Sequence, residues 1–404
     1  MNEKTSLQRS CSKKAKKQHS SPGPSLELSG FKASIITSAV RKPTETISLV
    51  NDRIESRSRI RQSIPSAPGV YGWLDESRQV VYVGKSKSLR HRLLQYFAKS
   101  PPDSKMERIR DQSTSLVWET TSHELLALIR EQELIISLRP PMNVQGQPHR
   151  KLPGYICLRG GTAPRLVVAK AFPTDARTWF GPITGVGRID AAVVSANHIF
   201  QLRDCPDKTK FRFNNQRQLF ERSDHAKCLR YELTTCPAPC VGACSQRSYG
   251  DNVQKALSFL QGDLSAIDIL HTDMWAAAQR QAFERAIVLR DHHVNLTWIA
   301  RQLGRLRKAE QELNGVYPLP GIFANKPVWL WLQRGEVLGC YLRSSAVPQN
   351  VLKQIDLQNR NSTLSENRLN TFLKQLVISW FRKHPEETSR LIPLQECLAK
   401  AKAA

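Results

Sequence analysis

An α+β chain of several units is what the sequence predicts, and three observations predict it. Two short β-branched and aromatic runs, residues 70–74 and 80–83, flank the turn-forming stretch 75–79. From Ser86 the pattern turns helical, with Leu89, Leu93 and Phe97 on one face and Lys87, Arg90 and His91 around them. Further amphipathic stretches follow at about 268–303 and 365–384, with a second hairpin in VWLWLQRGEVLGCYLR between them.

Composition narrows the partner. The 404 residues hold 60 Lys plus Arg against 35 Asp plus Glu, a net charge of +25 and a pI near 10.0. That balance points to a polyanion, held by salt-dependent and largely sequence-independent attraction to phosphates. A ribosome-associated protein or an anionic-membrane protein would share it. No apolar run reaches the roughly eighteen residues of a membrane helix. Six Lys or Arg in the first twenty residues are not followed by an apolar h-region, so no secretory signal is expected. A reducing, cytoplasmic setting fits. Nine cysteines there read as thiols or metal ligands rather than a disulfide frame.

Residues 1–60 are rich in Ser, Lys and Arg, include KKAKK at 13–17 and have few aromatics, and so read as a basic disordered tail. Residues 61–146 form the first folded unit. After its hairpin and helix, Ser100-Pro-Pro-Asp opens a second basic helix at 105–110, and 115–120 is a third strand. A helix at about 122–138 presents Glu131, and Pro140-Pro141 stops it. Residues 147–262 alternate apolar runs (155–158, 165–168) with Gly/Pro turns and then become cysteine-rich and helical. Gly185-x-Gly187 there lacks the rest of a phosphate-binding fingerprint and reads as a turn before a helix. Residues 263–306 read as a helical hairpin broken near 281–283. Residues 307–404 hold one hairpin, turning at 334–336, and a helix with Leu369, Phe372, Leu373, Leu376, Trp380 and Phe381 on one face.

The chemistry gathers in the first unit. Its hairpin carries Tyr71 and Tyr82, Lys85 follows the second strand, and Arg92 and Tyr96 lie one turn apart on the helix. Phenols, an ammonium and a guanidinium at one spot suit a phosphodiester, which needs a proton acceptor and cations for developing charge. An ordinary basic hairpin and helix with core tyrosines would carry the same residues.

Gly-Val-Tyr71, Tyr82-Val-Gly after ten intervening residues, and Arg92 ten residues past the second Tyr resemble the GIY-YIG nuclease signature. The words PGVY, VYVGKSKSLRHRL and QYF, with ELLALIREQELIISLRPPMN downstream, are similar to the N-terminal nuclease domain of the bacterial excinuclease family UvrC. Glu131 stands twelve residues before Asn143, as in that family.

The resemblance implies the following. Glu131 would hold one Mg²⁺ (or Mn²⁺), largely through waters. Tyr71 or Tyr82 would take the proton of the attacking water, although a free phenol titrates near pH 10. Arg92 would face the scissile phosphate, Lys85 would add positive charge, and Tyr96 and Asn143 would orient waters or the site. Glu133, two residues along, is the alternative to Glu131.

Five of the nine cysteines, Cys205, Cys228, Cys236, Cys240 and Cys244, fall within forty residues. The last three intervals do not match the paired C-x₂-C of common zinc ribbons. CLRYELTTCPAPCVG resembles the excinuclease family, which implies a [4Fe–4S] cluster on Cys205, Cys228, Cys236 and Cys240, with a structural rather than electron-transfer role. Cys244 is the substitute for Cys205, and Zn²⁺ the alternative metal. AFERAIVLRD is similar to the UVR motif through which the excinuclease components UvrB and UvrC associate; a plain helical hairpin or a homodimer contact would look alike.

The last hundred residues depart from the family, whose longer members carry a ribonuclease-H-like nuclease and helix–hairpin–helix motifs there. Between Arg305 and Ala404 the only aspartate is Asp356, whereas a two-metal site needs several clustered carboxylates, usually including paired aspartates. No glycine follows Gly339, so glycine-dependent hairpins are missing. The expectation is a shortened, single-nuclease (Cho-like) member: a Mg²⁺-dependent endonuclease of nucleotide excision repair that cuts damaged double-stranded DNA 3′ to the lesion. The excinuclease component UvrB would recruit it, with UvrA acting upstream. A non-cleaving adaptor and a stand-alone GIY-YIG nuclease are the alternatives.

Overall fold

A computed structural model describes residues 34, 44–50, 52–143, 153–173, 176, 178–214, 228–322, 326–343, 348, 351–353 and 368–397. The cluster at 13–17 and the side chain of Leu369 lie outside the described residues.

The first unit is a four-stranded antiparallel sheet with helices on both faces. Strand β1 (Glu45–Ser48) precedes helix α1 (Arg53–Ser63), strands β2 (Gly69–Leu74) and β3 (Val80–Ser86), helices α2 (Leu89–Gln95) and α3 (Ser104–Asp111), strand β4 (Ser115–Thr120) and helix α4 (Glu124–Leu138). The sheet order is β1-β4-β2-β3. Strand β2 is central and buried along its whole length. Period-two alternation sends Tyr71 and Trp73 to one face, against Leu89, Leu93, Tyr96, Met106 and Ile109 of the α1–α3 layer. Val70 and Leu74 go to the other, against Ala127, Leu134 and Ile135 of α4.

Residues 45–48 and 53–60, expected to belong to a disordered tail, lie in a strand and a helix. Glu45–Ser48 pairs with β4, and Asp52 caps α1 by accepting a hydrogen bond from the Ile54 N–H. Composition misses both elements for a physical reason. An edge strand is held through its backbone, and α1 buries only Ser56 and Ile60, so neither needs an apolar run.

The middle region contains β5 (Gly154–Arg159), β6 (Arg165–Ala169), β7 (Trp179–Ile183), α5 (Val186–Ile199), the short α6 (Leu229–Glu232) and α7 (Gln246–Gln261). It is therefore not purely α-helical, as its cysteine-rich half suggested. Its apolar runs form an antiparallel sheet, β6-β5-β7, under α5. Gly185 adopts φ +92° at the start of α5, which makes Gly185-x-Gly187 a turn before a helix.

Helices α8 (Ser265–Gln279) and α9 (Phe283–Glu312) form the expected hairpin, with Gln281 in the left-handed region at the break. It is not a unit apart. Leu296, Ile299, Ala300 and Leu303 of α9 sit in the same core as Ile156, Ile189, Tyr249 and Phe259 of the middle region.

The C-terminal region exceeds the expected hairpin plus helix. Strands β8 (Gly315–Leu319), β9 (Val328–Gln333), β10 (Glu336–Leu342) and β11 (Ile392–Pro393) pair in the order β10-β9-β8-β11, with α10 (Arg368–Lys383) packed on them. The β9–β10 turn falls at Arg334-Gly335 as read, both at positive φ. Strand β8 carries Pro318 and β11 is two residues long, which hid them from a propensity reading. Among the described residues no helix is long and apolar enough to cross a membrane.

Candidate active site

Strand pairing brings the tyrosines together. In the β2–β3 ladder Tyr71 stands opposite Gly84 and Trp73 opposite Tyr82. A Cβ on Gly84 would lie 2.6 Å from both the Cζ and the hydroxyl oxygen of Tyr71, so only glycine lets the phenol cross β3. Gly69 is similarly constrained, since a Cβ there would lie 2.2 Å from the carbonyl oxygen of Glu119. Both outer glycines of the signature are packing requirements, a role the sequence reading did not assign.

Helix α2 supplies the cations and the third phenol. The Tyr71 and Tyr96 hydroxyls are 3.1 Å apart, and the Tyr71 and Tyr82 rings are 6.3 Å apart. The Arg92 guanidinium lies 5.9 Å from the Tyr96 ring centre and hydrogen-bonds Gln95. Its positive charge acts on Tyr71, Tyr96 and Tyr82. Burial raises the pKa of all three phenols above the ordinary value. For Tyr71 a hydrogen bond from Tyr96 and the Arg92 charge pull the other way without prevailing, and the Glu131 charge adds to the rise. The buried phenols are therefore neutral at pH 7.

Glu131 is the titratable carboxylate of the site. Burial pushes it up to about 7, opposed by the Lys85 ammonium and by a hydrogen bond from the Lys85 backbone N–H. Glu133 is placed differently. It accepts from Arg130 (3.1 Å) and from the Ser34 hydroxyl (2.6 Å), while Arg130 also pairs with buried Glu119 at 2.7 Å. Glu131 therefore joins the tyrosines and Glu133 does not.

Lys85 and Asn143 hold less open positions than the sequence suggested. The Lys85 ammonium bonds Glu124 at 2.7 Å, and Lys87 reaches the second oxygen of the same carboxylate at 2.9 Å. Glu124 thus ties the end of β3 to the start of α4. The buried Asn143 amide accepts from the Val83 N–H and donates to the Val83 carbonyl, both at 2.8 Å. It fixes β3 between Tyr82 and Gly84.

Residues 67–144 match the family model of the UvrC-like GIY-YIG domain, and residues 154–259 match that of the UvrC/Cho excinuclease middle domain. These two domains, in this order, decide the relationship. The chain carries the nuclease and middle domains of the UvrC family. The UvrABC system protein C of Legionella pneumophila (strain Paris) is 31% identical over 295 residues, 72% of this chain and 46% of that protein. That of Novosphingobium aromaticivorans is 33% identical over 240 residues, 59% of this chain and 35% of that protein. The chain thus spans less than half the length of these curated relatives. A crystal structure of the GIY-YIG N-terminal endonuclease domain of Thermotoga maritima UvrC, bound to magnesium, is 34% identical and covers 21% of this chain and 97% of that one, with a TM-score of 0.20.

The cysteines of the UvrC middle domain form a second cluster. Cys236 is buried, while Cys205, Cys228 and Cys240 are half-buried. Burial pushes the Cys236 thiol up to about 12, and the nearby Cys205, Cys240 and Cys228 add to the rise. Cys240 feels Cys228 and Cys205 in the same way. Of the thiols, Cys240 is the one that adds to the rise at Cys244. Among the described residues, no three His, Cys, Asp or Glu side chains are arranged to hold a single metal ion.

Proposed function

We propose that this chain is a Mg²⁺-dependent endonuclease of nucleotide excision repair that cuts damaged duplex DNA 3′ to the lesion. The observation that carries the reading is the convergence of Tyr71, Tyr96 and Arg92 with Glu131. A carboxylate held up at about 7 by burial, with one ammonium opposing it, is suited to a divalent cation that restores its ionised form. One carboxylate fits Mg²⁺, which keeps most of its water shell; when bound it supplies charge stabilisation at the phosphate.

The chain's own groups account for the rest. Two donors, the Tyr96 hydroxyl and the Arg92 guanidinium, serve the Tyr71 oxygen, and these are the partners that a phenolate needs. Tyr71, in the minor phenolate form that these groups favour, is therefore the preferred acceptor of the water's proton, and ionised Tyr82 beside it the second candidate. Arg92 also faces the charge that develops on the non-bridging phosphate oxygens. Lys85 keeps Glu131 in an electropositive setting while Glu124 anchors its ammonium. Asn143 holds β3 in register.

Relatives named UvrABC system protein C support UvrB as a partner. So does the far end of the α8–α9 hairpin, where Phe283 is 62% exposed and Trp275, Ile287 and Val288 are also exposed. The deciding experiment is incision of a lesion-bearing duplex labelled at both ends, with and without UvrA and UvrB. A 3′ cut alone is the expected result. Tight DNA binding without any cut would make the chain an adaptor instead.

The family-like sequence pattern of Cys205, Cys228, Cys236 and Cys240 and the influence of these thiols on one another support a [4Fe–4S] cluster on them. Anaerobically purified protein is expected to contain iron and acid-labile sulfide in roughly equal amounts. Cys205→Ser should lose them and Cys244→Ser should keep them. Stoichiometric zinc without iron would replace the cluster with a structural zinc site.

A further inference from the structure

Helix α4 is held from two sides. On a helical wheel Glu131 shares a stripe with Glu124, Ala127, Leu134 and Ile135, the stripe that faces the nuclease sheet and the tyrosines. The opposite stripe, Leu125, Leu126 and Ile129, is fully buried, and its partners come from the far end of the chain. Tyr317 of β8 and Leu373, Val377, Trp380 and Phe381 of α10 close over it. The nuclease unit by itself would leave these three side chains uncovered.

The start of α4 is held by the same region. The His123 Nδ1 caps the helix by accepting from the Leu125 N–H at 3.2 Å. Its ring meets Trp380 and Tyr317 edge-on, at centroid distances of 5.6 and 6.3 Å. Those two rings are themselves fixed. Trp380 packs on His384 at 4.1 Å, and the Tyr317 hydroxyl donates to Glu387 at 2.6 Å. Lys374, buried on α10, bonds Glu310 at the end of α9 at 2.7 Å and ties α10 to the body of the molecule.

We propose that the C-terminal unit is a brace for the catalytic helix. Trp380, through His123, and Leu373, through the Leu125–Leu126–Ile129 stripe, are positioning residues for Glu131. The physical reason is the tolerance of the chemistry, since a displacement on the order of 1 Å in a catalytic group can cost about a hundredfold in rate. Among the described residues, the C-terminal region shows no group of carboxylates arranged to hold a metal ion. It does keep the apolar face that α4 needs.

The inference rests on Glu131 holding a cation, so its test has readouts besides cutting. In the full-length chain, Trp380→Ala and Leu373→Ala should increase hydrogen exchange across α4. They should weaken Mn²⁺ binding, followed by electron paramagnetic resonance, on the order of tenfold. Incision kcat should fall in parallel, with KM for DNA unchanged and Trp380→Phe restoring most of the loss. His123→Asn, which keeps a capping side chain but loses the ring contacts, should move the same quantities in the same direction if either core variant fails to fold. A folded variant with parental Mn²⁺ affinity and parental exchange in α4 overturns the brace. Absence of incision in the parent chain, with Mn²⁺ binding intact, would instead overturn the proposed function and leave the brace standing.

Discussion

Glu131→Gln is expected to reduce incision about a thousandfold or more, equivalent to about 4 kcal/mol of lost charge stabilisation, while making the metal-free protein more stable. The second effect follows from the carboxyl's burial. Its ordinary value is 4.5, and burial raises it to about 7 in the folded chain. Below 4.5 both folded and unfolded forms are protonated and the site carries no electrostatic penalty. Between 4.5 and 7 the unfolded chain ionises first, so stability falls as pH rises. Above 7 the full penalty, about 3 kcal/mol, is present. The neutral isostere removes it. Thermal melts without metal should therefore show Glu131→Gln above the parent at pH 8 and close to it at pH 4.5. Protons and cation also compete for the same oxygens, so the parent's Mn²⁺ affinity should fall about tenfold per pH unit below 7. Full incision by a folded Glu131→Gln, or a stability gain independent of pH, would sink the assignment. Glu133→Gln is the control; it should destabilise at every pH above the carboxylate range by breaking the buried pair with Arg130.

Arg92→Ala is expected to cost incision on the order of a hundredfold to a thousandfold. Two losses combine. The phosphate loses a fixed cation, and Tyr71 loses one of the two groups that pull its pKa down against burial. The pH–rate profile separates them. If Tyr71 is the proton acceptor, activity rises with pH in the parent, and in Arg92→Ala the rise moves to still higher pH. Arg92→Lys should recover little, because an ammonium cannot serve the Tyr71 oxygen and a phosphate oxygen as a planar fork does. DNA affinity should fall only slightly, with a shallower dependence on salt. An unshifted profile would leave Arg92 as a phosphate ligand only and rule out both Tyr71 and Tyr82, on which its charge acts, as the titrating acceptor.

The sequence alone determined the parts of this protein that depend on neighbours in the chain. The hairpin at 70–83, the placing of Tyr71, Tyr82 and Arg92, the helix bearing Glu131, the break near 281 and the turn at 334–336 are all local. Each is written in alternation, helical spacing or turn chemistry over a few residues. Other features depend on residues far apart in sequence, and only the tertiary structure decided them. Glu131 and Glu133 differ by two positions, yet one faces the tyrosines of β2 and β3 while the other meets Arg130 and Ser34. Asn143 is a clamp because Val83 lies beside it across sixty residues. The strand at 45–48 is held by the backbone of β4, which no side-chain pattern records. The C-terminal unit looks like a remnant when judged by the carboxylates it lacks. Its worth lies in an apolar face that meets Leu125, Leu126 and Ile129, some 200 residues away, and such a meeting is set by packing rather than by any local rule.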